Sequence, residues 1–297
     1  MPTAQIILSL VLATMVFSVA LELRPQDFLG VARTPRAVVC GLIPQFILLP
    51  LATWLATLAL DLPPNIEAAM ILVAACPGGS LSNVITHMGR GNTALSVSIS
   101  AIASLIALLA TPFNFAWMVA TNPATAGWLR TLEIDPSGIW VSLFLLLALP
   151  MAAGLALVRL QPGLAHRLRR PLGRFSLLAL LGFIAIGLVR ERHLLTLGLL
   201  PTLGLVVAHN ALGLWLGWAT ARAMRVSVPD RRAVMIEGGM QNSGLALGII
   251  GLQFNADLGM VVVASLWGIW HIVSGLSLAF LWRRHDDRLA DPGRDRL

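Results

Sequence analysis

Long apolar runs separated by short polar, arginine-bearing segments set the pattern of this chain. A membrane span needs about 20 mostly apolar residues. Nine stretches fit that requirement: residues 4–22, 37–60, 66–88, 92–119, 138–158, 174–190, 195–222, 231–254 and 257–282. The pattern predicts an all-α membrane protein with nine transmembrane helices. Runs 1–22 and 138–158 are clean, whereas the others carry Gly, Pro or polar residues. The first run has no basic leader, and Val19-Ala20-Leu21-Glu22 is a poor cleavage site, so it reads as a span rather than a signal peptide. The short charged stretch 283–297 reads as a disordered cytoplasmic tail.

A second pattern lies over the first. Residues 1–119 and 174–282 read as two copies of a four-span unit joined by the single connecting helix 138–158. The odd connector places the second copy upside down. In each copy the third span, 66–88 or 231–254, is interrupted by Gly and polar residues. Inverted repeats with matching interrupted spans point to a secondary transporter and to its binding site.

Composition narrows the class. Apolar residues are 57% of the 297, charged residues 12%, and mean hydropathy is +0.81. A soluble domain carries about 25% charge; this chain cannot cover a water-facing surface, which excludes a soluble enzyme, a nucleic-acid binder and a disordered protein. The net charge of +7 changes meaning once the charges are placed. All 21 basic residues are Arg, and 18 of them fall after the first, third, fifth, seventh and ninth spans. This is a positive-inside distribution, not a basic stripe for nucleic acid. It predicts an inner (plasma) membrane protein with its N-terminus outside and its C-terminus cytoplasmic. Cys40 and Cys76 lie in apolar segments without metal spacing and read as packing residues.

The interruptions carry the chemistry. One is Cys76-Pro77-Gly78-Gly79-Ser80-Leu81-Ser82-Asn83; the other is Glu237-Gly238-Gly239-Met240-Gln241-Asn242-Ser243-Gly244. Pro and paired Gly break a helix, and Ser80, Ser82, Asn83, Asn242 and Ser243 offer caps for new half-helices. Broken backbone survives in a bilayer only inside protein or beside a wet cavity. Glu237 stands well inside its span, where an acid costs about 2.5–3.5 kcal/mol on insertion scales. No Arg lies at that depth, which leaves a bound cation or a proton to offset the charge. Oxygen-rich surroundings suit a hard cation rather than zinc or copper. Thr93, Ser96, Ser100 and Ser104 stack on one helix face, as a polar stripe that either serves the site or joins helices. Gln45 follows Pro44, His209 precedes Asn210, and Trp267, His271 and Ser274 share a face; both His fit packing better than ligation. Gly213/Gly217 and Gly244/Gly248 fit GxxxG, a sign of close helix packing.

These residues resemble the bile acid:sodium symporter family. The resemblance rests on 76–83, on Arg90-Gly91-Asn92 with Ala94-Leu95-Ser96, on 237–246, and on His209-Asn210 and Trp270-His271; it extends over residues 4–282. It implies a core domain in which two broken helices cross near the midplane, beside a panel domain that includes helices 4–22 and 37–60, in the nine-helix form of the family. It also implies two sodium sites. One would use Ser82, Asn83, Ser96, Ser100 and Glu237. The other would use Gln45, Glu237, Gln241 and the carbonyls of Gly238 and Met240. Ser100 stands where relatives have Thr, which keeps the hydroxyl. Substrate contacts would come from Ser80, Asn242 and His271, with Ile272 where relatives often have Asn. The implied cargo is an amphipathic organic anion, a bile acid or similar carboxylate, moved with sodium by alternating access across the bilayer.

Three other readings stay open on the residues alone. A proton-coupled or uncoupled carrier would use Glu237 as its titrating group. An intramembrane enzyme would need a nucleophile and base in reach, and Gly78-Gly79-Ser80-Leu81-Ser82 is not GxSxG. A channel would need polar lining across the whole membrane, whereas the polar groups cluster at one depth.

Overall fold

The computed structural model describes residues 2–24, 27, 34–190 and 199–290. They form α1 (Pro2–Glu22), α2 (Pro35–Leu60), α3 (Pro64–Ala75), α4 (Leu81–Met88), α5 (Thr93–Thr121), α6 (Pro123–Thr131), α7 (Pro136–Leu160), α8 (Pro162–Arg190), α9 (Leu199–Ala223), α10 (Val228–Gly239), α11 (Ser243–Gln253) and α12 (Leu258–Ala290). No strand occurs among the described residues. Five of the helices are long and apolar enough to cross a membrane: Pro35–Leu60, Thr93–Thr121, Ser137–Leu160, Leu200–Ala223 and Leu258–Leu289. Proline opens α2, α3, α6, α7 and α8, where its missing N–H is no loss. Asn92, Asn122, Asp135 and Asn242 each cap the helix that follows them.

The two interruptions are real breaks, one between α3 and α4 and the other between α10 and α11. Inside α2, Pro44–Leu48 form a π-turn. Pro44 cannot donate into the helical ladder, and the wider turn absorbs the misfit while rotating Gln45 inward, fully buried.

Three expectations need correction. The arginine-rich segment 162–174 is not a loop but the first turns of α8; Arg and Leu are good helix formers, and Pro162 supplies the start. The helix predicted over 257–282 runs on to Ala290, so residues 283–290 are helical rather than disordered. Asp287 Oδ1 accepts from Arg90 at 2.6 Å, and Asp286 accepts a forked pair of bonds from Arg232 at 2.7 Å each. Those ion pairs fasten the extension to the end of α4 and the start of α10. The short helix α6 was not expected at all. Residues 195–198 and 291–297 lie outside the described residues.

Matched contacts hold the two halves together. Asn65, at the start of α3, donates to Asp257 before α12 at 3.0 Å. Asn92, before α5, donates to Asp230 at the start of α10 at 2.7 Å. At the Asn65 end, Glu67 is buried and fully partnered, accepting from Leu62 N–H and from Asn122 Nδ2, which also donates to Thr57. The chain segments near residues 57, 65, 122 and 257 thus meet at one end, and those near 90, 232 and 286 at the other.

The Gly213/Gly217 pair sets how closely α9 approaches α10. A Cβ at Gly217 would stand 2.7 Å from the carbonyl oxygen of Val234, and one at Gly213 would stand 2.8 Å from that of Gly238. Gly204, on the same helix, has nothing within 4 Å of its Cβ position. Gly217→Ala should therefore destabilise the protein by about 1–3 kcal/mol through overpacking against backbone. Gly204→Ala should be neutral, or stabilising by up to about 1 kcal/mol. Thermal midpoints of the purified variants in detergent check this; equal midpoints would refute the close packing.

Candidate functional site

The two breaks touch, with Asn242 N–H donating to the carbonyl of Pro77 at 2.8 Å. Carbonyls freed by the breaks find side-chain donors from neighbouring helices. Thr111 donates to Ala75 O at 2.7 Å, Gln45 Nε2 to Glu237 O at 2.9 Å, and Asn210 Nδ2 to Gly239 O at 2.7 Å. A polar backbone left bare in an apolar interior would be unfavourable by several kcal/mol per group, and these three residues meet that demand. Asn242 caps α11 through Leu245 N–H, as its position suggests. The expected capping of α4 does not occur: Ser80 precedes the helix without capping it, and Ser82 instead donates to Gly79 O at 2.7 Å.

Glu237 is 0% exposed. Its Oε1 faces Ser82 Oγ at 2.6 Å, Ser96 Oγ at 2.5 Å and Ser100 Oγ at 3.1 Å, and Ser100 is also 3.1 Å from Oε2. Asn83 Oδ1 accepts from Ser96 at 2.8 Å and lies 3.4 Å from Ser100. The polar stripe of α5 therefore turns toward the breaks. A hydroxyl has one proton, yet Ser82 is in reach of two acceptors and Ser100 of three. The cluster is rich in oxygen lone pairs and short of protons. Among the described residues no ion pair reaches Glu237 and no group of three His, Cys, Asp or Glu gathers. This chemistry suits a hard monovalent cation better than a transition metal.

A second group of oxygens lies next to it. A Cβ at Gly78 would stand 2.7 Å from Gln45 Nε2, 3.0 Å from Glu237 Oε2 and 3.2 Å from Met240 O, so these atoms converge where only glycine fits. Gln45 Oε1 and both side-chain polar atoms of Gln241 are buried without a hydrogen-bond partner. Orphaned buried polar atoms are rare, and the open amide oxygen of Gln45, whose side chain lies beside Glu237, is suited to a bound cation.

The residues expected to contact substrate are not joined to one another by hydrogen bonds. Ser80 is exposed, Asn242 is half-buried, and His271 is buried with Nδ1 2.7 Å from Trp267 O of its own helix. His209 proves to be a packing residue. Trp267 Nε1 donates to its Nδ1 at 2.9 Å, which leaves Nε2–H to meet Thr53 Oγ1 at 2.8 Å; the network assigns the tautomer.

The sequence reading gave no role to some charged groups. One is Glu22, in the last turn of α1, whose Oε1 lies 3.7 Å from the Cβ position of Gly173 on α8. A signal existed: an acid in the last turn of a helix faces that helix's own negative end and needs a partner elsewhere.

Comparison with known proteins gives this arrangement its context. Residues 9–198 match the model of the sodium bile acid symporter family. An uncharacterized sodium-dependent transporter of Bacillus subtilis, YocS, is 30% identical over 93% of this chain and 83% of its own length. A probable chloroplastic sodium/metabolite cotransporter of Oryza sativa, BASS1, is 30% identical over 84% of this chain, which spans 59% of that protein. The human P3 protein is 27% identical over 75% of this chain and 46% of its own length. The breaks, the apolar helices and these matches agree that this is an integral membrane protein, and the chain belongs to the sodium bile acid symporter family.

Proposed function

We propose that the protein is a secondary active transporter that couples the movement of an amphipathic organic anion, a bile acid or similar carboxylate, to sodium by alternating access. The observation that carries this reading is the fully buried Glu237 carboxylate, ringed by three serine hydroxyls and, among the described residues, without a cationic side chain beside it. A lone charge in such a place costs several kcal/mol, and a sodium ion would offset it. One ion would take Ser82, Asn83, Ser96, Ser100 and Glu237. A second would take Gln45, Glu237, Gln241 and the carbonyls of Gly238 and Met240, using the orphaned amide oxygens. The sodium-dependent relative from Bacillus subtilis supports the ion.

The finer architecture belongs to the same proposal. Nine spans in two inverted four-helix repeats account for the two breaks and for the matched pairs Asn65–Asp257 and Asn92–Asp230, one at each end. The arginine-rich end, with Arg90, Arg232 and the end of α12, would be cytoplasmic in a plasma membrane, with the N-terminus outside. Substrate would meet Ser80, Asn242 and His271. On α4, Leu81 and Val84 are 37% and 53% exposed next to Ser80, so an apolar surface borders a polar anchor, as an amphipathic cargo requires. The first turns of α4 and α11 each add a partial positive charge of roughly half a unit.

Two outcomes follow for the protein in liposomes. Glu237→Ala should abolish sodium-stimulated uptake, because it removes a ligand from both ions, and Gln45→Ala and Ser96→Ala should each raise the sodium concentration needed. Wild-type uptake that is unchanged in sodium-free buffer would contradict the ion assignment and move the coupling to a proton on Glu237. If two sodium ions accompany one monoanion, one net charge crosses per cycle, worth about 2.3 kcal/mol per 100 mV. Uptake should then accelerate when the liposome interior is made negative; a voltage-insensitive rate would exclude that stoichiometry.

A further inference from the structure

A buried chain of hydrogen bonds joins three helices beside His271. Thr53 of α2 spends its one hydroxyl proton on Leu49 O, 2.7 Å away, so toward His209 of α9 it can only accept, and His209 Nε2 donates to it at 2.8 Å. Nδ1 of the same ring is then bare, and it accepts from Trp267 Nε1 of α12 at 2.9 Å. Both nitrogens of His209 are committed, and the fully buried indole of Trp267 has its only polar atom fixed. One turn further along α12, the imidazole of His271 lies against that indole, with ring centroids 5.3 Å apart and planes at 39°. Its Nδ1 is 2.7 Å from Trp267 O. A carbonyl only accepts, so Nδ1 carries the proton. Nε2 is the nitrogen left for a cargo, and among the described residues no ion pair holds it. The position of α9 does not depend on His209. Asn210 donates to Gly239 O, and Gly213 and Gly217 pack against the backbone of α10.

We propose that His209 is a positioning residue for cargo binding: by holding the Trp267 indole it fixes the wall against which His271 presents Nε2. The inference rests on the organic-anion reading above, and His209 itself touches no cargo. The χ2 torsions of Trp and His have broad wells, so neighbours rather than intrinsic preference decide where these rings stand. Without His209, the indole N–H has no partner in an apolar interior, which is unfavourable enough to turn the ring toward another acceptor. His271 then loses its wall and spends time in orientations that miss the cargo. Thr53 has a part in this as well. By accepting from Nε2 it sets the tautomer of His209 and keeps Nδ1 open for the indole.

The test is calorimetric binding of taurocholate and of pantoate to the purified full-length protein in sodium buffer. If His271 keeps its binding orientation only about one-tenth of the time once the bond is lost, affinity falls about tenfold. His209→Leu should therefore bind whichever anion the wild type binds about tenfold more weakly. Trp267→Phe, which keeps an aromatic body should the Leu variant fail to fold, should lose about as much. The double variant should be no weaker than either single one, because both changes break the same bond. His209→Asn, whose Oδ1 can stand in for Nδ1, should restore the affinity. In a His271→Ala background, His209→Leu should have no further effect. A merely structural role would lower the thermal midpoint of His209→Leu and leave its anion affinity at the wild-type value. That result, or an equal loss in the His271→Ala background, would overturn this proposal and leave the organic-anion reading standing. Failure of the wild type to bind either anion would overturn both.

Discussion

A carboxylate buried in an apolar protein within an apolar solvent is the constraint on which the rest of this structure depends. Glu237 has no bulk water beside it and, among the described residues, no cationic side chain. Everything around it is a partial answer to that charge. Three hydroxyls from two elements point at it, an asparagine orders two of those hydroxyls, and a glutamine on a π-turn holds its backbone carbonyl. Hydroxyls provide dipoles, which are weaker than a counter-charge. The cluster is therefore incomplete, as the proposed sodium site requires: stable enough to persist, and unsatisfied enough for an ion to be taken up and released.

Breaking two helices is what brings these groups together. An unbroken helix would spend its carbonyls on its own ladder and keep the elements at least 8–10 Å apart. The breaks free carbonyls and let the two interrupted segments meet through Asn242 and Pro77. Gly78 permits the approach because no Cβ would fit among Gln45, Glu237 and Met240. Asn210 and Thr111 then satisfy the carbonyls that no ion would claim. The packed glycines of α9 hold α10 at the distance this arrangement needs.

Much of this was legible in the amino-acid sequence because bilayer physics makes exceptions conspicuous. Pro77-Gly78-Gly79 and Gly238-Gly239 stand out inside apolar runs, and so does Glu237. The stripe of Ser96 and Ser100 follows from helical period alone. Other features were hidden for specific reasons. Arg167, Arg169 and Arg170 resembled a loop because a search for apolar runs does not see a helix that starts in water and then enters lipid. The tail to Ala290 looked disordered because its partners, Arg90 and Arg232, lie far away in sequence. Ser82 looked like a cap, but the Glu237 carboxylate, distant in sequence, takes its hydroxyl instead. His209 has no local signal for its role, since Thr53 and Trp267 come from separate helices.

The central claim is that sodium completes the site around Glu237, and equilibrium stability tests it without reference to any cargo. A ligand that binds only the folded state stabilises it by RT ln(1 + [L]/Kd), about 2.7 kcal/mol at a hundredfold excess over Kd. Thermal unfolding of the purified protein should shift upward with sodium chloride and not with choline chloride at equal ionic strength, and Glu237→Gln should lose that selective shift. A wild-type midpoint that responds equally to both salts, or a Glu237→Gln protein that keeps the full sodium response, would contradict the account.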